Sequence, residues 1–241
     1  KVRPLKAWRH MRNLIADKED TEQVFHIIES LNGKATLRDF ERFMASPNGP
    51  SLLAARTNLP ALLDDHDTLW ALPQGTVGRT YVEFMEREGL SAAGLVAESE
   101  KFRASWDDHE DDLLWYLDRL RDVHDLFHIM TGYGRDALGE VCVLGFTHSQ
   151  HDGPGINFIS WVGRRQISKH VPNEAGILDA TREARKNGKL AKRIVEQDIE
   201  SLLREPLDSA RQRMGIRPPT LYNNAMNVLT DHGMVPTLVA A

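Results

Sequence analysis

The chain has 241 residues, which is long enough to bury a hydrophobic core without a metal ion or a disulfide. With 30 Lys and Arg residues against 35 Asp and Glu residues, its formal net charge is −5, so it lacks the overall positive charge typical of nucleic-acid-binding proteins. The single cysteine excludes an intrachain disulfide and favours a reducing compartment, and no run of eighteen apolar residues predicts a membrane-spanning helix.

Helical periodicity dominates the first part of the chain. Apolar residues recur every three or four positions in residues 21–32, 36–44 and 80–88. The first of these segments ends at a glycine, the second precedes the turn-rich sequence SPNGP, and the third follows LPQGTVG. In the third segment Tyr81, Phe84 and Met85 form the apolar stripe. These patterns predict helices separated by turns.

A longer helix is predicted to begin at Ser105, where the sequence SWDD places an acid three positions after a capping residue. Neither Gly nor Pro interrupts the chain from there to Met130. A buried seam is predicted at Leu113, Leu117 and Leu120. His124 and His128 continue that seam, so we expect two imidazoles where the next core residues should lie.

These two histidines are candidate metal ligands. They lie one helical turn apart, so their ring nitrogens can converge on one cation. Asp125 can ligate the same ion, or can instead fix a histidine tautomer from outside the ligand shell. Gly132 and Gly134 then end the helix.

A second helix is predicted after this turn, with Asp136 as its capping residue. Glu140 would project from it toward the histidines if the two helices pack antiparallel. The segment VCVLGF has the composition of a strand but fits a buried helix equally well, and we interpret it as helix. Cys142 lies between valines, which indicates a buried small hydrophobic residue in preference to a nucleophile.

Other interpretations of the histidines remain open. They could form a buried hydrogen-bonded network that holds no metal, because buried histidines are usually paired with polar partners. The sequence HDLFH is similar in spacing to the HExxH helix of metalloproteases, but Asp125 replaces the longer Glu that serves there as general base. An HD-type phosphohydrolase would need further His and Asp ligands on several helices.

Two other polar segments carry weaker signals. His148 and His151 follow Glu140, and His148 is either a residue that supports the site or part of a solvated helix end. Residues 177–202 combine basic side chains with an apolar side, which fits either a helix on anionic lipid or a solvated outer face. The basic residues are Arg182, Arg185, Lys186, Lys189, Lys192 and Arg193, and the apolar ones include Ile177, Leu178, Leu190, Ile194 and Leu202.

The fold predicted from these segments is all-α, a single multi-helix bundle-like domain. We place this helical domain at residues 1–217 and a C-terminal tail at residues 218–241, with the change of composition at the sequence RPPT.

At this point the sequence resembles the Coq4 family of ubiquinone biosynthesis proteins. The motif HDxxH, eleven residues, then Glu is the signature of that family, and His124, Asp125, His128 and Glu140 occupy its four positions. The similarity extends upstream through RFMASPNGPSLLAAR and LPQGTVGRTYVEFM, and downstream through EARKNGKLAK and PLDSARQRMGI. It covers residues 20–217. Many members carry an acid seven residues after the ligand Glu, where this chain has Thr147, so no role is carried over to that position.

The resemblance implies a Coq4-like all-α fold in which the same four residues hold one divalent metal ion and form the catalytic site, with zinc or iron the expected metals. It also implies a bound prenylated quinone precursor or other isoprenoid lipid, contact with other quinone-biosynthesis proteins, and peripheral contact with a membrane. Members act at C1 of a prenylated hydroxybenzoate-type ring, where a carboxylate is lost and a hydroxyl is introduced. We expect such an oxidative decarboxylase, with iron able to support the oxidative step and the prenyl tail in an apolar groove.

The alternative function is a non-catalytic lipid-binding scaffold that organises quinone-biosynthesis enzymes at the membrane. We expect a homodimer, and we do not expect the protein to bind nucleic acid. The sequence shows no mitochondrial transit peptide, which favours a bacterial protein that is cytoplasmic and peripheral to the inner membrane. A eukaryotic origin would place it on the matrix side of the mitochondrial membrane.

Overall fold

The computed structural model describes residues 2–17, 20–100 and 111–234. These residues contain sixteen α-helices, two short 3₁₀ helices at Asn173–Ala175 and Ile194–Glu196, and no β-strand. The α-helices are α1 (Pro4–Ala16), α2 (Thr21–Asn32), α3 (Ala35–Met44), α4 (Gly49–Ala55), α5 (Leu59–Leu63), α6 (His66–Trp70), α7 (Val77–Glu88), α8 (Ala92–Glu100), α9 (Asp111–Asp122), α10 (His124–Thr131), α11 (Ala137–His151), α12 (Pro154–His170), α13 (Ile177–Leu190), α14 (Ile199–Arg204), α15 (Leu207–Met214) and α16 (Thr220–Asp231).

The all-α prediction is confirmed, and several helices lie where periodicity placed them. The three apolar stripes predicted in the first part of the chain correspond to α2, α3 and α7. VCVLGF lies inside α11, so its interpretation as helix is confirmed. Cys142 is fully buried, as predicted, and burial raises the pKa of its thiol, which disfavours the reactive thiolate. In the described part of the chain no helix combines the length and the apolar character needed to cross a bilayer.

The predicted continuous helix through Met130 is wrong. α9 ends at Asp122 and α10 begins at His124, so the helix is interrupted at the fully buried Val123. No Gly or Pro marks this break, and Ser105, the predicted cap, lies outside the described residues. The two helices differ in burial: α9 buries one face, whereas most of α10 is buried.

The seam of α9 also differs from the prediction. Leu113, Tyr116 and Arg119 are its buried residues, while Leu117 and Leu120 are only partly buried. Tyr116 and Arg119 can be buried because both donate to buried hydrogen-bond acceptors, which offsets the cost of removing their polar groups from water. Packing of a polar network has therefore overridden the simple apolar pattern.

The chain forms two compact units. The first unit comprises the described residues within Lys1–Thr36, Thr131–Ala191 and Ile216–Ala241. In it α11 packs against α12 and α13, α2 packs against α1 and α12, and α16 packs against α13. One of its apolar clusters contains Ala7, Met11, Leu14, Ile27, Ile159 and Val162. The boundary predicted between residues 217 and 218 stays a prediction, although Thr220–Asp231 of the predicted tail form helix α16.

The second unit comprises the described residues within Leu37–Met130 and Lys192–Gly215. In it α7 packs against α6, α14 and α15, and α9 packs against α4, α5 and α8. An apolar cluster of Phe43, Leu113, Tyr116 and Val195 lies beside a polar one. There Asp39 accepts hydrogen bonds from the Tyr116 hydroxyl at 2.6 Å and from Arg193 at 2.7 Å.

Arg119 ties α9 to the segment that precedes α14. Its guanidinium is 3% exposed and donates hydrogen bonds to the carbonyl oxygens of Val195, at 2.9 Å, and Gln197, at 2.6 Å. Burial lowers the pKa of Arg119 to about 10, so the side chain remains charged near neutral pH. These contacts fix the end of α9 immediately before the histidine pair.

The basic segment at residues 177–202 is only partly as predicted. Ile177, Ile194 and Leu202 are buried in the core, so they cannot form an exposed apolar face. Arg193 pairs with Asp39 and its side chain is only 11% exposed, so it does not belong to the basic surface. The remaining basic residues and the exposed Leu178 and Leu190 lie on or next to α13, and their contact with lipid stays a prediction.

Gly188 allows α13 to lie close to α11. A Cβ atom at this position would lie 2.4 Å from the carbonyl oxygen of Phe146 and 3.0 Å from its Cα, both backbone atoms of α11. Gly188, which interrupts the amphipathic pattern in the sequence, is therefore a packing residue: only glycine fits without a shift of one helix.

We predict that Gly188→Ala separates α11 from α13 and lowers the free energy of unfolding by about 1–3 kcal/mol. The measurement is urea denaturation followed by circular dichroism. Gly94→Ala is the matched control, because Gly94 is an exposed residue of α8 and an added Cβ would meet only the flexible Ser91 hydroxyl, at 3.1 Å. Equal stability of Gly188→Ala and the wild type would contradict this account of the helix contact.

Candidate metal centre

Two imidazoles lie on consecutive turns at the start of α10. The ring centroids of His124 and His128 are 5.5 Å apart and their planes meet at 63°, in an edge-to-face arrangement. His128 is 2% exposed, whereas the side chain of His124 is 38% exposed. The pair therefore has one imidazole in the core and one that solvent can reach, which leaves a route by which an ion or a small molecule can approach.

Asp125 lies beside the more exposed histidine. Its Oδ1 is 3.4 Å from Nδ1 of His124, and its side chain is 13% exposed. A carboxylate against Nδ1 favours the proton on that nitrogen and leaves Nε2 as the electron-pair donor. This is the second of the two roles considered for Asp125 in the sequence.

Two aromatic residues of α7 belong to the surroundings of the histidines. The Phe84 ring stacks on the His128 ring, with centroids 5.8 Å apart and planes at 21°. Tyr81 is fully buried, and burial, followed by the negative charge of Asp125, raises the pKa of its phenol so that it stays protonated. Helical periodicity predicts only an apolar stripe for these two residues, because about forty residues of chain separate them from His124.

Asp136 is the N-cap residue of α11, as predicted. Its Oδ1 accepts hydrogen bonds from the backbone N–H groups of Leu138, at 3.1 Å, and Gly139, at 3.0 Å. The Tyr222 hydroxyl donates to the other carboxylate oxygen and accepts from the Gly134 N–H at 3.0 Å. The turn before α11 is thus held by the first turn of α11 and by Tyr222 of α16.

Glu140 is fixed by this tight helix start. It lies in the first turn of α11, where the helix dipole favours a negative charge. The preceding residue must be glycine, because a Cβ on Gly139 would lie 2.0 Å from the carbonyl oxygen of Gly134. Nε of Arg135 is 3.9 Å from Oε1 of Glu140, and both side chains are about one-third exposed. The position of Arg135 beside Glu140 could not be predicted from the sequence, since a single arginine in a turn carries no recognisable signal.

His124, His128 and Glu140 form a group that could hold a metal ion. One ligand atom of each residue lies within 4.8 Å of the ligand atoms of the other two. Two imidazole nitrogens and one carboxylate oxygen are the protein ligands of a class of catalytic zinc sites and of the non-haem iron facial triad. The donor set therefore fits a divalent metal and leaves coordination positions for water or substrate.

The structure brings together three of the four predicted ligands. Asp125 is not a member of the group, and the assignment of all four residues as metal ligands stays a prediction. His148, His151 and Cys142 are also outside it, and no second group of this kind occurs in the part of the chain that the structure describes. Burial lowers the pKa of His148, which lies near the end of α11 with its Nδ1 3.2 Å from the Gly153 carbonyl oxygen.

The chain is similar to known proteins over most of its length. A ubiquinone biosynthesis protein from Pyricularia oryzae is 29% identical over 76% of this chain and 57% of its own length. The corresponding protein of Bos taurus is 25% identical over 81% of this chain and 71% of its own length. Both relatives are named as mitochondrial. The chain spans little more than half the length of some of the curated relatives that it matches.

The fold is found in a solved structure. The crystal structure of a protein assigned to ubiquinone biosynthesis from Nostoc punctiforme superposes with a TM-score of 0.65, over 90% of this chain and all of that one, at 18% identity. The sequence model of the family described as coenzyme Q (ubiquinone) biosynthesis protein Coq4 matches residues 11–220. Because this match covers most of the chain, the protein belongs to the Coq4 family.

Proposed function

We propose that the protein is a metal-dependent enzyme of ubiquinone biosynthesis. In this proposal one divalent ion, zinc or iron, is held by His124, His128 and Glu140. The substrate is a prenylated hydroxybenzoate-type acid, which loses its C1 carboxylate and gains a hydroxyl at the same carbon. The grouping of two imidazoles and a carboxylate, with ligand atoms within 4.8 Å, is the observation that carries the proposal.

The neighbours of the histidines support a positioned site. The stacked Phe84 ring restricts the orientation of His128, and the carboxylate of Asp125 lies at Nδ1 of His124. A metal ligand whose ring is fixed by packing and by a carboxylate loses less entropy on binding the ion. We therefore assign Asp125 as the residue that orients His124, with direct ligation as the alternative.

Arg135 supports an acidic substrate. Its guanidinium is close to Glu140 and partly exposed, so it can pair with the ring carboxylate of a bound acid. A planar guanidinium holds a carboxylate through two parallel hydrogen bonds, which would place C1 of the ring beside the three ligands. When bound, the metal would supply Lewis-acid stabilisation of developing negative charge and, if it is iron, access to redox chemistry.

The proposed reaction balances with dioxygen as oxidant. The C1–carboxylate bond breaks and carbon dioxide leaves, one oxygen atom of dioxygen forms the new C1–OH bond, and the other oxygen is reduced to water. That reduction requires two electrons and two protons from a separate two-electron donor, such as a reduced flavin or nicotinamide.

The rest of the proposal concerns where the reaction takes place. A prenyl tail needs an apolar groove, so the substrate would reach the protein from a membrane, and we propose peripheral contact with that membrane. Quinone-pathway enzymes that make the substrate or use the product are the proposed partners, and the proposed assembly is a homodimer. The membrane would be the inner membrane of a bacterium or of a mitochondrion.

We predict that the purified protein holds close to one metal ion per chain. His124→Ala and Glu140→Ala should both lose it, because each variant removes one of three protein ligands. The measurement is inductively coupled plasma mass spectrometry on untagged protein prepared without chelator. His148→Ala is the matched control, since it removes an imidazole of α11 outside the group, and it should retain the metal. Equal metal content in all variants would contradict the ligand assignment.

Asp125→Asn separates the two roles of Asp125 in the same experiment. If the carboxylate orients His124, the variant should still hold metal, with an affinity about 10–100-fold weaker in competition with a chromogenic chelator. If Asp125 is itself a ligand, the loss should equal that of His128→Ala. An affinity unchanged from the wild type would remove Asp125 from both roles.

The reaction is tested directly with a short-chain prenylated 4-hydroxybenzoate-type acid under ¹⁸O₂, in the presence of a chemical reductant. We expect mass spectrometry to show a product that has lost carbon dioxide and gained one ¹⁸O atom. Glu140→Ala should abolish turnover, and Arg135→Gln should raise KM more than it lowers kcat, because it removes a contact with the bound substrate. Variants that lack metal and still support quinone synthesis in a deletion strain would favour the scaffold.

A further inference from the structure

A basic groove lies where α12 meets α13. It has a volume of about 400 Å³, is partly open to solvent and is lined by Arg164, Arg165, Ser168, Lys169, Leu178 and Arg182. Four of its six lining residues are cations and none is acidic. This groove involves none of the residues of the metal centre, and neither the family match nor the proposed reaction accounts for it.

The charge of the groove is poorly compensated by the contacts around it. Asp179 accepts a hydrogen bond from Arg182 at 2.7 Å, but both side chains are more than half exposed, so solvent screens this pair. Lys169 donates to the neutral Gln166 side chain at 2.9 Å, and Arg165 lies 4.2 Å from the centroid of the Trp161 ring. Neither of these last two contacts supplies a negative charge.

Arg164 is the innermost cation of the group. Its Nε is buried and has no hydrogen-bond partner among the residues that the structure describes. Burial, followed by the positive charges of Arg185, Arg182 and Arg165, lowers the pKa of Arg164. An anion in the groove would reduce the repulsion among these cations.

We propose that this groove binds a phosphate or diphosphate group. Arginine presents planar, parallel N–H donors that match phosphate oxygens, and three arginines with one lysine can surround a group with two or more negative charges. The volume of the groove is large enough to receive a phosphate or diphosphate group.

The wall of the groove indicates what else the ligand carries. Leu178 is 40% exposed, and an adjoining hollow of about 200 Å³ shares Ser168, Leu178 and Arg182 with the groove. That hollow is also lined by Val171, Pro172 and Ile177, and by Asp179, whose carboxylate is paired with Arg182. The arrangement fits a phosphate attached to an organic part that lies on apolar side chains. A soluble phosphorylated molecule and the headgroup of an anionic phospholipid share this chemistry.

Isothermal titration calorimetry with inorganic pyrophosphate at low ionic strength tests the site, and vesicle flotation separates the two sources. The vesicles are phosphatidylcholine with and without phosphatidic acid. The variant is Lys169→Gln with Arg182→Gln, chosen because Lys169 and Arg182 are exposed and their loss should not affect folding. The control is Arg204→Gln, which removes an exposed arginine paired with Glu200 on α14.

Saturable binding of one pyrophosphate per chain would support the site and a soluble ligand. The affinity for pyrophosphate should then fall at least about tenfold in the double variant and stay within about twofold of the wild type in the control. Binding only to vesicles that contain phosphatidic acid, with the same dependence on the variant, would support the site and a lipid headgroup. The proposal is overturned if neither probe binds, or if the double variant and the control are affected equally. Metal content is unchanged by these substitutions in either case, so this result is independent of the proposed reaction.

Discussion

The geometry of the candidate site depends on where α10 begins. α9 ends at Asp122, and the chain starts a new helix at His124 after one buried residue. The new helix places His124 and His128 on consecutive turns and still allows most of its other residues to be buried. Arg119, bonded to two backbone carbonyl groups, holds the end of α9 and therefore the point at which α10 starts. Two imidazoles four residues apart share one face of any helix, so the start of α10 sets the direction in which that face points.

The start of α11 has the same importance for the carboxylate. Asp136 caps the helix and Gly139 allows it to approach the preceding turn, so Glu140 occupies the first helical turn. The cap at Asp136 and the histidine pair could be predicted from the sequence, because capping residues and i, i+4 pairs are local signals. The all-α fold and the proposed ligands His124, His128 and Glu140 follow from such signals, and the family motif adds to them. Asp125 was predicted with two possible roles, and its contact with Nδ1 of His124 supports the orienting one.

Contacts distant in sequence could not be predicted. The break at Val123 has no Gly or Pro, so periodicity extends through it. Phe84 and Tyr81 have the pattern of ordinary core residues, and only the fold brings Phe84 onto the His128 ring. The basic residues within 177–202 illustrate this limit. Their positive charge could be predicted from the sequence, but Arg193 is paired with Asp39 in the core. The groove also needs Arg164 and Arg165 from α12. A net charge of −5 therefore coexists with a strongly positive local surface.

The central claim is that two imidazoles and one carboxylate hold a metal ion that keeps open positions for substrate. X-ray absorption spectroscopy at the edge of the bound metal tests it most directly. The account predicts a fine-structure signal from two histidine nitrogens, with oxygen atoms from Glu140 and from water that an added substrate analogue replaces. A shell with sulfur, or four protein ligands that no analogue displaces, would contradict the claim.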